Sequence, residues 1–350
     1  MLGGAAIISL MKASKQMTAN FTSNASTRRE LLKSTGYLAG GALLAGWLPR
    51  HLYAAVQAAS GSQAAASQND QVAQMRAQMS AVPLQTLKLR DNLTMLYGPG
   101  GNMVALNGPD GKVLVDSSFL SVAPKLKEAL DSLGPAPLKI LINTHWHFDH
   151  TDGNAPIHAA GATIVAHENT RKRLSTPQDI AAFGLHFPAW PVEAWPQQTF
   201  ADKLKLYFNN EELSLAYVPP AHTDTDIFIR YEKGNVLHMG DLFFNGIYPF
   251  IDGSTGGNIN GMILAAGAGI SLADAGTKIV PGHGPLGDKA ALIKYRDMLT
   301  IVRDRVKILK DAGKTAEETV AAKPTADLDA VWGNGQLKPD FFVNIVYSTL

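Results

Sequence analysis

"INTHWHFDHTDGN", residues 142–154, places His145, His147 and His150 together with Asp149 and Asp152 inside eight positions of a chain that has 10 histidines in all. The stretch follows the apolar run "KILI" and reads as the exit from a β-strand ending at Thr144. A chain that leaves a strand in extended form points residues i, i+2 and i+4 the same way, so His145, His147 and Asp149 share a direction. His150 and Asp152 then diverge, unless the loop turns and brings His150 round to a second position. Imidazole and carboxylate are the groups that borderline divalent metals prefer, and with no cysteine in the chain no thiolate competes for that role.

Working outward, three more chemically suited residues follow strand-like runs: His222 in "YVPPAHTDTD", Asp241 in "VLHMGDLFF" and His283 in "IVPGHGP". Ligands converging from the same ends of several strands are how a rigid scaffold builds a metal site. The flanking pattern supplies such a scaffold. "LQTLKL", "LTMLYG", "NMVALNG" and "KVLVDSS" are short β-rich runs separated by "DN", "GPGG" and "GPDG", the chemistry of hairpin turns. Helical patterns are expected at 121–132, 154–160 and 168–174, with the strand "ATIVAH" between the last two and a Pro- and Trp-rich loop at 176–199. "KLKLYF" and "ELSLAYV" form a hairpin over "NNE", and "DIFIRY" with "NVLHMG" another over "EKG". The strand "KIVPG" precedes an amphipathic helix at 289–311, with Leu292, Tyr295, Leu299, Val302, Val306 and Leu309 on one stripe. Two groups of mostly antiparallel strands with interposed helices give an α/β layered architecture, helices outside.

With 31 basic against 30 acidic residues, no global field attracts nucleic acid or an anionic membrane, and a small-molecule partner is expected. The N-terminus is set apart. "TRRELLK" at 27–33, followed by the uncharged 15 residues "STGYLAGGALLAGWL", resembles a twin-arginine export signal carried by Arg28 and Arg29. The apolar segment is short of the ~20 residues of a spanning helix, so no membrane span remains after cleavage, which is expected within 54–67. The division expected is 1–58 as signal with its n-region extension, 59–82 as linker or loose helix, and 83–350 as catalytic domain with a C-terminal helical tail. The chain then engages the twin-arginine machinery transiently and resides in the periplasm or another extracytoplasmic space.

The order H-x-H-x-D-H, then His, then Asp, then His, resembles the metallo-β-lactamase superfamily and covers roughly residues 84–320. That resemblance implies a four-layer αββα sandwich and two Zn²⁺ ions per chain, other divalent metals being alternatives. It implies that His145, His147 and His222 hold one metal, Asp149, His150 and His283 the other, and that Asp241 bridges them. The implied activity is hydrolysis of a small carbonyl substrate (ester, lactone, thioester or amide) by a metal-bound hydroxide, with Asp149 orienting the nucleophile. By the same resemblance, β-lactamase subclasses lack an aspartate at the bridging position, so Asp241 makes β-lactam hydrolysis the alternative rather than the first expectation. Iron-dependent members carry Glu where His147 stands, which sets a diiron oxidoreductase lower, alongside a non-catalytic zinc-binding protein. Trp190, Trp195 and Phe187, in the aromatic loop "AFGLHFPAWPVEAWP", are candidate substrate contacts, as are Asn245 and Tyr248 after the bridging position. Asp152, Thr223, Asp224 and Asp226 are candidates to orient the ligand imidazoles.

Overall fold

The computed structural model describes residues 71–350. The expected export signal and the first part of the expected linker lie outside the described residues. A helix over 71–81 (α1) comes first, then a meander of four strands: β1 (Gln85–Lys88), β2 (Leu93–Tyr97), β3 (Met103–Leu106) and β4 (Lys112–Val115). Next come α2 (Ala123–Ser132), β5 (Leu138–Ile142), α3 (Phe148–Thr151), α4 (Asn154–Ala159), β6 (Thr163–His167) and α5 (Glu168–Leu174). The aromatic loop folds into a small hairpin, β7 (Gln178–Ile180) and β8 (Leu185–Phe187), followed by β9 (Gln198–Phe200). The second half contains β10 (Lys203–Phe208), β11 (Glu211–Tyr217), β12 (Ile227–Tyr231), β13 (Val236–His238), α6 (Ile259–Leu272), β14 (Lys278–Val280) and α7 (Lys289–Asp311). The chain closes with α8 (Ala316–Ala321), α9 (Asp329–Trp332) and α10 (Pro339–Ser348).

Two sheets result, of order β1-β2-β3-β4-β5-β6-β9 and β10-β11-β12-β13-β14. The first is less antiparallel than the sequence pattern suggests. Its β1–β4 meander is antiparallel, but β4-β5, β5-β6 and β6-β9 pair in parallel, because each of those connections crosses over through helix or a long loop. The second sheet is antiparallel except for β13-β14.

Strand periodicity sorts the side chains into layers. Val104 and Leu106 of β3 face Ile227, Ile229 and Tyr231 of β12 between the sheets, whereas Met103 and Ala105 face outward onto Leu126 and Leu130 of α2. On the far side, Phe228, Leu237 and Ile279 meet Met262 of α6, Leu292, Tyr295, Leu299, Val302 and Val306 of α7, and Phe342 and Val346 of α10. This is the αββα sandwich. The β10-β11 hairpin turns on Asn209 and Asn210 alone, both at positive φ (54° and 59°), the two-residue turn whose twist matches the strands. The C-terminal segment packs on its own domain, with the Phe342 ring stacked on Tyr248 at 4.6 Å. Among the described residues no helix is long and apolar enough to cross a membrane.

Candidate metal centre

β5 delivers the central motif, and the loop after it turns rather than continuing extended. His147 stands at the N-terminus of α3 (φ −58°, ψ 146°), and its carbonyl accepts from the His150 and Thr151 amides at 3.0 and 3.1 Å. His145 and His147 therefore precede a helical turn, and Asp149 and His150 lie on it. Asn143 and Asn154 close the loop's two ends through buried amide-to-amide bonds of 3.1 and 2.8 Å. β11, β13 and β14 run in one direction, so His222, Asp241 and His283 all leave the carboxyl ends of the second sheet toward this loop.

Two groups able to hold a metal ion assemble there: His145, His147, His222 and Asp241, and Asp149, His150 and His283. All seven residues expected from the sequence are brought together. Asp241 lies against both groups: Oδ2 is 3.4 Å from His222 Nε2 and 3.9 Å from His145 Nε2, while Oδ1 is 3.1 Å from His150 Nε2. His283 Nε2 is 3.2 Å from Asp149 Oδ2 and 3.5 Å from Asp241 Oδ2. Access is one-sided. The side chains of Asp149 and His283 are 20% and 25% exposed, against 4% or less for the other five.

The far nitrogen of each buried imidazole is fixed by an acceptor, which sets the tautomer. His150 Nδ1–H faces Asp116 Oδ2 at 2.8 Å, His147 Nε2–H faces Asp252 Oδ2 at 3.0 Å, and His222 Nδ1–H donates to the Phe250 carbonyl at 2.9 Å. The nitrogens left bare are the ones aimed at the cluster. His147 Nδ1 and His222 Nε2 thus confront each other at 2.8 Å, an arrangement that a shared cation or proton resolves. His145 Nε2, His150 Nε2 and Asp241 Oδ1 are buried without a hydrogen-bond partner, a cost of roughly 1–3 kcal/mol each by ordinary desolvation. The donor set fits divalent metal on all three counts.

Titration behaviour follows from the same packing. Burial pushes the His145 imidazole well below its usual range, with His150 adding to the effect, and burial takes His222 down to about 4. For His150 burial acts against protonation, yet Asp241, Asp149 and Asp116 outweigh it and hold the ring well above its usual range. His283 is raised to about 9: burial opposes the proton, and Asp241 and Asp149 hold it. Burial likewise disfavours the Asp149 anion, but His150 and His283 bring its carboxyl down to about 2.

Sequence reasoning missed Asp116 and Asp252. Asp116 is fully buried, sits at φ 61° just after β4, and also accepts from Thr144 N at 2.8 Å and Thr144 Oγ1 at 2.7 Å. Asp252 further accepts from Ser254 N at 3.0 Å and Thr255 Oγ1 at 2.8 Å. Their only local signal is a carboxylate right after an apolar run, in "LVDSS" and "PFIDGST". The four residues expected in that role are engaged elsewhere. Asp224 pairs with Arg173 at 2.7 Å, Asp152 with Arg76 at 2.5 Å, and Thr223 with Asp226, which also accepts the His222 and Thr223 amides. Asp226 thus shapes the His222 loop without touching an imidazole, and burial raises its carboxyl to about 7.

The residues expected to contact substrate pack as follows. Phe187 and Trp190 stack on each other at 5.4 Å within the core, and Trp195 donates to the Trp190 carbonyl at 2.9 Å under the Arg171 guanidinium. They pack behind Trp146, which contacts His147 from the core side. Tyr248 is buried with its hydroxyl donating to Asp329 at 2.8 Å, and Asn245 Nδ2 donates to the Pro285 carbonyl at 2.9 Å, holding the His283 loop. Besides Trp146, the rings against the ligands are Phe244, stacked on His283 at 5.3 Å, and Phe250, 5.8 Å from His147. Phe183 lies 4.7 Å from Phe250 and stacks on Phe341 of α10 at 5.4 Å.

An αββα sandwich carrying a His- and Asp-rich centre on its strand ends defines a metal-binding protein of the metallo-hydrolase class. The model of the metallo-beta-lactamase superfamily matches residues 96–300, and the chain belongs to that superfamily. It is 29% identical over 206 residues to a probable metallo-hydrolase of Methanocaldococcus jannaschii, covering 56% of this chain and 93% of that one. Its fold is similar to a metallo-beta-lactamase from Pontibacter korlensis (TM-score 0.52, 18% identity, 62% of this chain and 99% of that one). A stereoselective inverting sec-alkylsulfatase from Pseudomonas sp. shares the fold at TM-score 0.57 and 16% identity, over 76% of this chain and 50% of that one.

Proposed function

We propose that the chain is an exported binuclear zinc hydrolase of small carbonyl substrates: esters, lactones, thioesters or amides. The observation that carries the reading is the Asp241 carboxylate, whose two oxygens face the two ligand groups at 3.1 to 3.9 Å. His145, His147 and His222 would hold one ion, Asp149, His150 and His283 the other, with Asp241 between them. A pair of divalent ions bound there supplies an acidified water and a Lewis acid at neutral pH.

The chain's own residues supply the rest. Asp149, ionised and partly exposed, presents its carboxylate at the open edge, where it accepts a proton from an attacking water and orients it. Substrate approaches along that edge, since the opposite side is closed by Trp146 and the core. Asp116 and Asp252 keep the His150 and His147 rings turned inward throughout. Export is supported by the Arg28–Arg29 pair and the short apolar stretch after it.

The test is metal analysis of the mature protein followed by turnover of a panel of chromogenic esters, lactones and a β-lactam, with chelated protein and His147→Ala as controls. Two zinc equivalents and ester or lactone turnover lost in both controls support the reading. A protein that carries no metal, or two irons, overturns it. kcat/KM for the β-lactam near the ~10⁴–10⁸ M⁻¹s⁻¹ of committed enzymes would make lactam hydrolysis the function instead.

A further inference from the structure

Beyond the ligands and their carboxylate partners, the motif loop is gripped from outside the region shared with the superfamily. α1 precedes residue 96, where that match begins, yet it carries Arg76 onto Asp152, two positions after His150. Arg76 Nε donates to Asp152 Oδ2 at 2.8 Å and Nη2 donates to Oδ1 at 2.5 Å, the two-pronged geometry that fixes orientation as well as distance. The Asp152 side chain is 3% exposed. It accepts a further bond from the Leu120 amide at 2.8 Å, and its own amide donates to the Phe148 carbonyl at 2.9 Å, at the end of α3.

α1 is itself secured along its length. Val72 is buried and Met75 and Met79 pack against the cluster that contains Phe119, Phe148 and Trp146. Ser121 Oγ donates to the Arg76 carbonyl at 2.6 Å, and Lys125 Nζ donates to the Ser80 and Val82 carbonyls at 2.6 and 3.0 Å. Phe119 packs edge-on against Phe148 at 5.4 Å. The short helix bearing Asp149 and His150 is thus held from two sides, by its own loop closure and by Arg76.

From this juxtaposition we propose that Arg76 is a positioning residue for the Asp149–His150–His283 group, so that docking of α1 sets the metal affinity of that group alone. A helix of four residues has no stability of its own, and its orientation must come from what it packs against. In the other ligand group His145 precedes α3 and His222 and Asp241 leave the second sheet, while His147, at the N-terminus of α3, is held separately by Asp252, so the Arg76 contact bears least on that group. The helix at 71–81 then belongs to the functional unit rather than to a tether. This inference rests on the reading that the cluster binds two metal ions.

The experiment is a stepwise Zn²⁺ titration of the metal-free full chain against a chromophoric chelator, comparing wild type with Arg76→Met, which keeps the apolar stem and removes the guanidinium. The expected result is one equivalent weakened about tenfold to hundredfold, the size typical of lost outer partners of a ligand, with the other unchanged. Asp152→Asn, which keeps the shape and the Leu120 bond, should weaken the same equivalent, and adding it to Arg76→Met should cost little more, because both remove one interaction. Unchanged affinity for both equivalents overturns the inference, as does equal weakening of both, which would mark a general loss of folded protein. If wild type takes up no zinc, the metal reading itself fails. If wild type binds two ions and Arg76→Met binds them identically, this inference alone fails.

Discussion

Asp116→Asn tests the tautomer logic of the centre with a change of one atom. Asp116 Oδ1 accepts from the Thr144 amide at 2.8 Å, and an asparagine oxygen preserves that bond. The other oxygen accepts from His150 Nδ1 at 2.8 Å and from Thr144 Oγ1 at 2.7 Å, and in the variant an NH₂ group stands in its place. A donor now faces Nδ1, so the imidazole lowers its energy by moving its proton to Nε2. That nitrogen, 3.1 Å from Asp241 Oδ1 and buried, is the one that must be bare to ligate. Lost ligand-orienting partners weaken metal binding by about 10–100-fold, roughly 1.4–2.7 kcal/mol, and only for the ion held by His150. Two-step zinc competition reads the affinity, and long-range ¹H–¹⁵N correlation of the metal-free protein, at a pH high enough that the His150 ring is neutral, reads the tautomer. If Asp116→Asn binds both ions as wild type does, or its His150 keeps the proton on Nδ1, the reasoning is refuted.

Further outcomes follow from the same geometry. Because His283 is raised to about 9 and His150 is also held well above its usual range, both rings carry protons at pH 7 in the metal-free protein. Zinc must displace those protons, so affinity rises with pH through the neutral range, the His283 contribution levelling off above about 9. Calorimetry in buffers of different ionisation enthalpy should count protons released on loading, and a count of zero contradicts the assignment. A Cβ on Gly282 would lie 1.9 Å from Asp241 Oδ1 and 2.7 Å from the Asp241 amide, so Gly282→Ala should abolish retention of at least one zinc, measured after gel filtration. Gly267 in α6 has nothing within 4 Å of such an atom, and Gly267→Ala should raise unfolding free energy by about 0.5–1 kcal/mol in denaturant titration. Tyr248→Phe removes only the bond to Asp329 and should cost about 1 kcal/mol of stability while leaving KM unchanged; an altered KM would return Tyr248 to the substrate site.

The clustered His and Asp residues were legible because metal binding demands particular side-chain types, and the strands before them carry strong period-2 patterns. α7 was equally clear, its stripe from Leu292 to Val306 matching one buried face. α6 left no comparable trace. "INGMILAAGAGISL" is apolar nearly all round and carries three glycines, so neither periodicity nor propensity marks it, and only the Asn258 cap, accepting from Gly261 N, announces its start. The aromatic loop is hard to read for a related reason. Composition shows that Phe187, Trp190 and Trp195 are large and apolar, but whether such rings line a cleft or fill a core depends on which element they meet, here Trp146 and Phe148. Asp116 was hidden by topology. It reaches His150 because β4 pairs in parallel with β5, setting Val115 opposite Ile142, a pairing no local pattern announces.

The charge carried by the centre bears on why the proposed function calls for a cation there. Four carboxylates converge there: Asp149 and Asp241 among the ligands, Asp116 and Asp252 behind the rings. Buried charge is tolerated only when it is paired, so these anions call for compensation nearby. Protonated His150 and His283 offset two of the four in the metal-free protein, and the surplus falls on a site with one open edge. A single divalent ion held by His145, His147 and His222, whose buried rings resist protonation, would offset the remaining two while the other group keeps its protons. Two divalent ions over neutral imidazoles would match the four carboxylates equally. The positions of Asp116 and Asp252, too far back to ligate and too buried to stand alone, therefore argue for divalent cation at the centre on electrostatic grounds that do not depend on the spacing of the ligand motif.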